Sequence, residues 1–462
     1  MKRSTKKGFT IVELVIVIAV IAILAAVLIP TFSSLIRKAN IASDTQLAKN
    51  LNTALTMGEA ENGTPDDFAE VLQILRDNGF IISNLNPTTK GWYYVWESAS
   101  NQIILVDGES NYAIKYQSKE IKAENTTPGA TWHFAVSEAS KVASIKALGA
   151  YVIYAPKTTE DLMSAFGGAY AEGGTIALNS DIILGEDKAL MDATAADKTV
   201  TVDLMDNTLT NTGFFAEEIA EAGRSYNFGQ LTAKAGTLNI KNGELTSEGN
   251  GKFVVAAAEN GKVYVENVSV NSAVAGSIVF RVIGSGAHMN VKDTVVNLSD
   301  DAGGCEIGIG TATFENVEIT LDSEAGTQFY RVCLAASRGG TLTVNSGTYT
   351  AKGASDAVIG LFTTAGNYVI NGGTFVAEDG VKMFKPYDAS GTYGNTHTIE
   401  IKGGTFTFED ANGEEKTVVI SDLTPDNFES EIKSMFDAGN YPALMDNITV
   451  VQIEGGYKVT ID

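Results

Sequence analysis

The sequence predicts a long N-terminal helix with a small α+β module, followed by an all-β domain built as a parallel solenoid. Three observations predict this. An apolar run from Phe9 to Ile29 continues at helical spacing to about Met57. Two short strand-like runs, Gly91 to Glu97 and Gln102 to Asp107, mark a small sheet. From Thr158 onward, apolar positions arranged around a turn residue return about every 28 residues.

The first element is a membrane span. Between Phe9 and Ile29 only Thr10 and Glu13 are polar. These 21 residues, at about 1.5 Å each, reach roughly 31 Å, the thickness of a bilayer's hydrocarbon core. Lys2, Arg3, Lys6 and Lys7 precede the run, which predicts a cytoplasmic N-terminus and places the remaining chain outside. An ordinary secretory signal would be shorter and end in small residues, whereas Ile29, Pro30, Thr31 and Phe32 follow here. Pro30 removes one helical hydrogen bond and predicts a kink or local melting. Glu13 is the anomaly, because a carboxylate in the membrane costs at least about 2.5 kcal/mol on insertion scales and so requires a partner.

The basic leader ending in Gly8, then Phe9, Thr10, Ile11, Val12, Glu13 and Leu14, the apolar run and Pro30 together resemble the prepilin leader and first helix of type IV pilins and of the related pseudopilins of secretion systems. The resemblance covers about 30 residues. It implies that a prepilin peptidase cuts between Gly8 and Phe9 and methylates the new Phe9 amine. It further implies that Glu13 pairs with the Phe9 ammonium of a neighbouring pilin subunit as helices bundle into a filament. The physics agrees, since a buried carboxylate and a buried ammonium are each costly alone and tolerable together.

Composition limits the remaining functions. The chain has 462 residues and a formal charge of −23, or about −27 once the four leader cations are removed. Such an acidic exterior does not suit nucleic acid, so none is expected as a partner. Cys305 and Cys333, 28 residues apart, form no CxxC pattern, and no disulfide framework is expected.

In order along the chain, residues 1–8 form the leader and 9–58 the long helix, of which 9–29 span the membrane. Gly58 and the Glu61 to Pro65 stretch are expected to stop that helix. Residues 59–117 form a small head resembling a reduced pilin head. Its helix is expected from Thr64 to Asn78, capped by Thr64 and burying Phe68, Val71, Leu72 and Leu75. The two strands and a third at Tyr112 to Tyr116 follow. Trp92, Tyr93, Tyr94 and Trp96 could serve as a sugar platform, but packing against the helix accounts for them more simply. Residues 118–157 read as a connector, with Thr127-Pro128-Gly129 and a short helical run from Ser137 to Leu148.

The outer domain spans residues 158–408, with a C-terminal cap over 409–462. Its turn anchors are Ser180, Asp206, Asn242, Asn267, Asp293, Asn316, Ser346, Gly372 and Gly403. The residues four before, two before and three after each anchor are all apolar, 27 positions where the 44% apolar composition would fill about 12. Short strands stacking in register satisfy this pattern, because one coil cannot bury its inward face alone. Asn242, Asn267, Asp293 and Asn316 are expected to form a hydrogen-bonded ladder. These repeats, with the NGGTF run from Asn371 to Phe375, resemble the right-handed parallel β-helix of pectate-lyase-like proteins. Thr159 to Tyr170 is expected to cap the first coil, the acidic insert Ala216 to Arg224 to form a loop or short helix, and Thr424 to Phe436 to be a helix. A hairpin of Ile448 to Ile453 with Tyr457 to Ile461 then closes the far end.

Lyases and hydrolases on that fold use clustered carboxylates, often with calcium, and a basic residue. Arg281, Glu306 and Arg331 align on successive coils and are read as a structural salt-bridge ladder. Asp300 and Asp301 lack the repeated GGxGxD pattern of calcium solenoids and are read as solvated turn acids. His133, His288 and His397 lie in unrelated places, so no zinc or triad motif arises. No catalytic residue, metal or cofactor is assigned, and the chain is read as a non-enzyme. Its predicted role is a membrane-anchored, type IV pilin-like subunit that carries the β-helix to the extracellular pilus or cell surface, with a glycan or host surface as its ligand. The alternatives are a pseudopilin serving secretion and a tethered polysaccharide lyase or hydrolase.

Overall fold

The computed structural model describes residues 10–80, 87–89, 91–107, 112–114, 120–121, 132–136, 151–156, 158–178, 180–185, 197–213, 218–221, 224–227, 231–248, 255–273, 277–299, 302–324, 331–387, 396–410, 412–436 and 442–461. The chain divides into two compact units, residues 1–134 with 143–151, and residues 135–142 with 152–462.

The first unit is organised on helix α1, Ile11–Asn62. It runs through Pro30 without the expected melting, and the Thr31 hydroxyl donates to the Val27 carbonyl at 2.9 Å. The large apolar side chains from Ile11 to Ile36 are exposed, while Ala48, Leu51, Ala54, Leu55 and Gly58 are buried. Gly58 does not stop the helix, which ends at Gly63 with φ +92°. Its role is close approach, because a Cβ there would lie 2.3 Å from Ile74 Cγ2 of helix α2, Phe68–Asp77.

Phe68, Val71, Leu72 and Leu75 bury as expected, but Asp67 caps α2 in place of Thr64. Asp67 Oδ1 accepts from Glu70 N at 3.0 Å, and Thr64 Oγ1 donates instead to Glu59 Oε1 at 3.0 Å. Strands Trp92–Glu97 and Gln102–Asp107 form an antiparallel hairpin, extended by Tyr112–Ile114. Trp132–Val136 pairs with the free side of the first strand, so part of the expected connector belongs to this sheet. The Ser137 to Leu148 run and Thr127-Pro128-Gly129 lie outside the described residues. Trp92, Tyr94 and Trp96 are buried, and Phe68 stacks on Trp96 at 5.8 Å, so the aromatic run is packing and not a platform.

Two buried polar groups on α1 hold this unit together. Asn52 Nδ2 donates to the Ile103 carbonyl at 2.7 Å and its Oδ1 accepts from Ile103 N at 2.9 Å, standing in for a neighbouring strand. Asp44 accepts from Thr88 N (2.7 Å), Thr89 N (2.9 Å) and Thr89 Oγ1 (2.6 Å).

The second unit takes in most of strand Tyr151–Tyr154, from the end of the expected connector, which pairs parallel with Gly174–Ala177. Helix α3, Thr159–Glu172, follows, with Leu162 and Phe166 buried. A parallel β-solenoid of three faces follows. The first face runs from Gly174–Ala177 and Thr199–Asp203, through successive coils, to Thr341–Val344, Asn367–Ile370 and His397–Ile401. The second runs from Ile182–Leu184 and Thr208–Asn211 to Gly347–Gly353, Thr374–Ala377 and Thr405–Glu409. The third begins at Leu231–Ala233 and Val255–Ala258 and ends at Val332–Ala336, Ala357–Leu361 and Lys382–Pro386.

All but one of the apolar positions read from the repeat are buried. Ile183 is the exception at 60% exposure, because the first coil turns its corner one residue sooner and pairs Ile182 with Leu209. The anchors Asp206, Asn242, Asn267, Asp293 and Asn316 adopt φ from +46° to +57°, a left-handed geometry that Asn and Asp tolerate. In later coils the residue after the anchor takes this turn, as at Gly347 (φ +121°), where a Cβ would lie 2.1 Å from the Val317 carbonyl oxygen. The amide ladder forms in two segments: Asn267 Nδ2 donates to Asn242 Oδ1 (3.1 Å) and Asn316 Nδ2 to Asp293 Oδ1 (2.7 Å). Between them Lys292 Nζ lies 3.6 Å from Glu266 and 3.7 Å from Asp293.

The acidic insert forms a separate hairpin, Glu218–Glu221 with Arg224–Asn227, instead of a loop or helix. The far end closes when Gly456–Ile461 adds antiparallel to His397–Ile401, and Glu415–Val419 adds to Thr405–Glu409. Helix Phe428–Ser434 is shorter than the Thr424 to Phe436 span expected.

Replacing Asn52 by Leu strands both backbone groups of Ile103. We expect the first unit to lose about 2 kcal/mol of stability. All three tryptophans of the chain, Trp92, Trp96 and Trp132, belong to this unit. Tryptophan fluorescence of the full chain during denaturant unfolding therefore reads the change, and an unshifted midpoint contradicts it.

Candidate functional site

The predicted assembly site begins where α1 begins. Gly8 and Phe9 lie outside the described residues. Thr10, in extended conformation, is the N-cap, and Glu13 reaches back to it. Glu13 Oε2 accepts from Thr10 N and Thr10 Oγ1, both at 2.8 Å, and Thr10 Oγ1 accepts from Glu13 N at 3.3 Å. This reciprocal capping box satisfies two of the orphan donors of the helix start, the backbone N–H groups of Thr10 and Glu13. It also gives the carboxylate a partner on its own chain, while Oε1 has no partner among the described residues. Sequence reasoning noted Thr10 only as a polar residue, although Thr10-x-x-Glu13 before an apolar run is the signature of such a box.

On the solenoid, Arg281 Nη2 meets Glu306 Oε2 at 2.8 Å across adjacent coils, as expected. Arg331 does not continue that ladder. The register sets Ile307 opposite Ala336, which puts Ala335 in line with Glu306 and Arg331 four residues ahead. Arg331 instead binds Asp356, through Nη2 to Oδ1 at 3.1 Å and Nε to Oδ2 at 3.4 Å. Lys385 Nζ (2.7 Å) and Tyr387 OH (3.1 Å) donate to the same carboxylate, whose side chain is 8% exposed. Burial alone would raise the Asp356 pKa, but the hydrogen bonds and charges of Lys385 and Arg331 hold it below the ordinary carboxylate value. With its oxygens filled by three donors, this group acts as a clasp across coils.

The remaining candidates stand apart. His397 is buried, with Nδ1 accepting from Gly366 N at 3.2 Å and Nε2 at 2.9 Å from the Phe362 carbonyl oxygen. His288 Nδ1 lies 2.8 Å from Thr311 Oγ1. His133 sits on the strand opposite Trp96. Cys305 and Cys333 are free and buried, and burial pushes the Cys305 thiol up to about 12, far from a reactive thiolate. Asp300 and Asp301 lie outside the described residues. Among the described residues, no group of three or more His, Cys, Asp or Glu comes together to hold a metal.

Against this geometry, comparison with known proteins identifies the class of the N-terminal segment. Residues 3–29 match the prokaryotic N-terminal methylation motif. The chain is also similar to two pilus proteins. A fimbrial protein of Moraxella nonliquefaciens is 40% identical over 60 residues, 13% of this chain and 38% of that protein. The type IV wide pilus major component PilA4 of Thermus thermophilus is 53% identical over 53 residues, 12% of this chain and 38% of that protein. The chain thus matches little more than a third of the length of either relative. No solved structure matches it. It carries a prepilin-type methylation motif, has type IV pilin relatives, and continues into a β-solenoid.

Because the folded Asp356 loses its proton more readily than the unfolded one, its contribution is present above the unfolded pKa of about 3.9 and is lost as pH falls through the lower folded value. Asp356→Asn should cost the solenoid about 3 kcal/mol at neutral pH and flatten the acid limb of its stability profile. Circular dichroism unfolding of the full chain between neutral and acid pH checks this, and equal stability at neutral pH contradicts it.

Proposed function

We propose that this chain is a type IV pilin-like structural subunit, stored in the membrane and assembled with other pilin subunits into an extracellular filament. A prepilin peptidase removes residues 1–8 and methylates the Phe9 amine. The positively charged leader keeps that end cytoplasmic, and the solenoid lies outside. The observation that carries the reading is the character of α1: from Ile11 to Ile29 Glu13 is the sole polar side chain, and the large apolar residues there are exposed. The helix is long and apolar enough to cross a membrane.

In the bilayer Thr10 partners the carboxylate. In the filament, the ammonium of a neighbour's Phe9 takes up Glu13, and apolar helices pack against one another where lipid stood. The ion pair sets the axial register, since a shift of one subunit leaves two charges unanswered. The solenoid contributes no chemistry to assembly. We assign it to adhesion, a surface-contacting domain and not an enzyme.

Glu13→Ala should insert into membranes as the wild type does but be missing from sheared filaments, measured by immunoblotting of both fractions; recovery at wild-type levels in the filaments refutes the pairing. Mass spectrometry should find the mature chain beginning at N-methylated Phe9. A bulky residue at Gly8 should leave the leader attached, and a mature N-terminus at Phe9 in that variant overturns the processing step.

A further inference from the structure

The outward side of the first face carries one feature that neither the core nor the ion pairs explain. Tyr264 is 39% exposed, while its neighbours Val263 and Val265 point inward and are buried. It is the sole large aromatic among the exposed hydrophobic side chains described in the second unit. Standing on the outward side of a parallel sheet, the tyrosine lies outside the core that holds the coils.

Its surroundings form a regular array. Asn239 is paired in register with Tyr264 on the preceding coil and Asn290 on the following one. Parallel strands are about 4.8 Å apart, so an amide lies on either side of the ring along the solenoid axis. Asn239 Nδ2 donates to Thr201 Oγ1 at 3.2 Å, and the Asn290 side chain has no partner among the described residues. The ring is held in place from one side: His288 meets it edge-on, with centroids 6.2 Å apart, and is itself fixed by Thr311. Lys262 stands on the same coil, two residues from Tyr264, with its register partner His288 on the next. Lys262 has no carboxylate partner among the described residues, whereas nearby Glu266 is paired with Lys292. In a chain of formal charge −23 this is a local cation, without a carboxylate partner among the described residues, beside an aromatic side chain.

We propose that this patch is a binding site for an acidic pyranose in a surface glycan, with the sugar ring on Tyr264, its hydroxyls on the Asn239 and Asn290 amides and its carboxylate on Lys262. An aromatic ring supplies apolar area at low entropy cost and the amides both donate and accept, a combination suited to a sugar's mixed surface. The inference rests on the reading of the solenoid as a surface-contacting domain.

The test uses the full chain in detergent, run by affinity electrophoresis through gels containing hyaluronan, alginate or polysialic acid, and through the same polymers after carboxyl reduction. At least one acidic polymer should retard the chain, and its reduced form should not. Tyr264→Ala should weaken binding by about tenfold while Tyr264→Phe retains it. Lys262→Ala should weaken it several-fold and lower its dependence on salt. Retardation by none of the polymers, equal retardation by the reduced forms, or a Tyr264→Ala or Lys262→Ala chain that behaves as wild type overturns the proposal. Filament assembly does not enter this measurement, so its outcome is separate from that of Glu13 pairing.

Discussion

A carboxylate set at the start of an apolar helix must be answered in every state the helix occupies. In the structure Thr10 answers Glu13, through its backbone N–H and its hydroxyl. A hydrogen bond to a charged group contributes about 1.5–3 kcal/mol, comparable to the insertion cost of the acid. The capping box, on the proposed function, makes the unassembled subunit tolerable in the bilayer. On the proposed function, a neighbour's ammonium must offer Glu13 more than Thr10 does, or complement it through the unpartnered Oε1. On that reading the same residue serves both storage and assembly, and the assembled state adds a donor from a second chain.

The second unit depends on a different constraint, which is that no coil buries its own inward face. Stacking meets it with short apolar residues in early coils and with rings in later ones. Tyr349, Phe375 and Phe406 lie at centroid separations of 5.1 and 4.6 Å along the axis. Outside the core, amides bond to amides and charges meet charges on adjacent coils, so a chain with large negative charge still stacks. Tyr264 departs from this internal matching, and the departure is what singles it out. In the first unit, by contrast, Asp44 and Asn52 on the long helix reach into the backbone of the sheet region.

Much of this architecture was legible because core positions in a solenoid recur at fixed offsets from a turn. The failures arise where an offset drifts. Ile183 was misplaced because one corner is a residue shorter, and Arg331 because the stretch between faces varies in length from coil to coil, which no count from an anchor detects. Gly58 was read as a helix stop, since sequence cannot tell a glycine that ends a helix from one that admits a neighbour's Ile74. The acidic insert formed a hairpin without the apolar alternation that marks buried strands. Of the proposed assembly site, Glu13 is evident from its cost in a membrane. Thr10 is less legible, because a threonine at the edge of an apolar run reads as part of the span, although its spacing to Glu13 is that of a capping box.

The contacts of Glu13 in the assembled state decide the proposed function, and a near-atomic cryo-electron microscopy map of sheared filaments measures them directly. We expect this chain in the filament, its first residue Phe9, and the Glu13 carboxylate within about 3 Å of the Phe9 nitrogen of an adjacent subunit. A filament in which Glu13 keeps only its own Thr10 as partner, with every neighbouring Phe9 nitrogen out of reach, would contradict it.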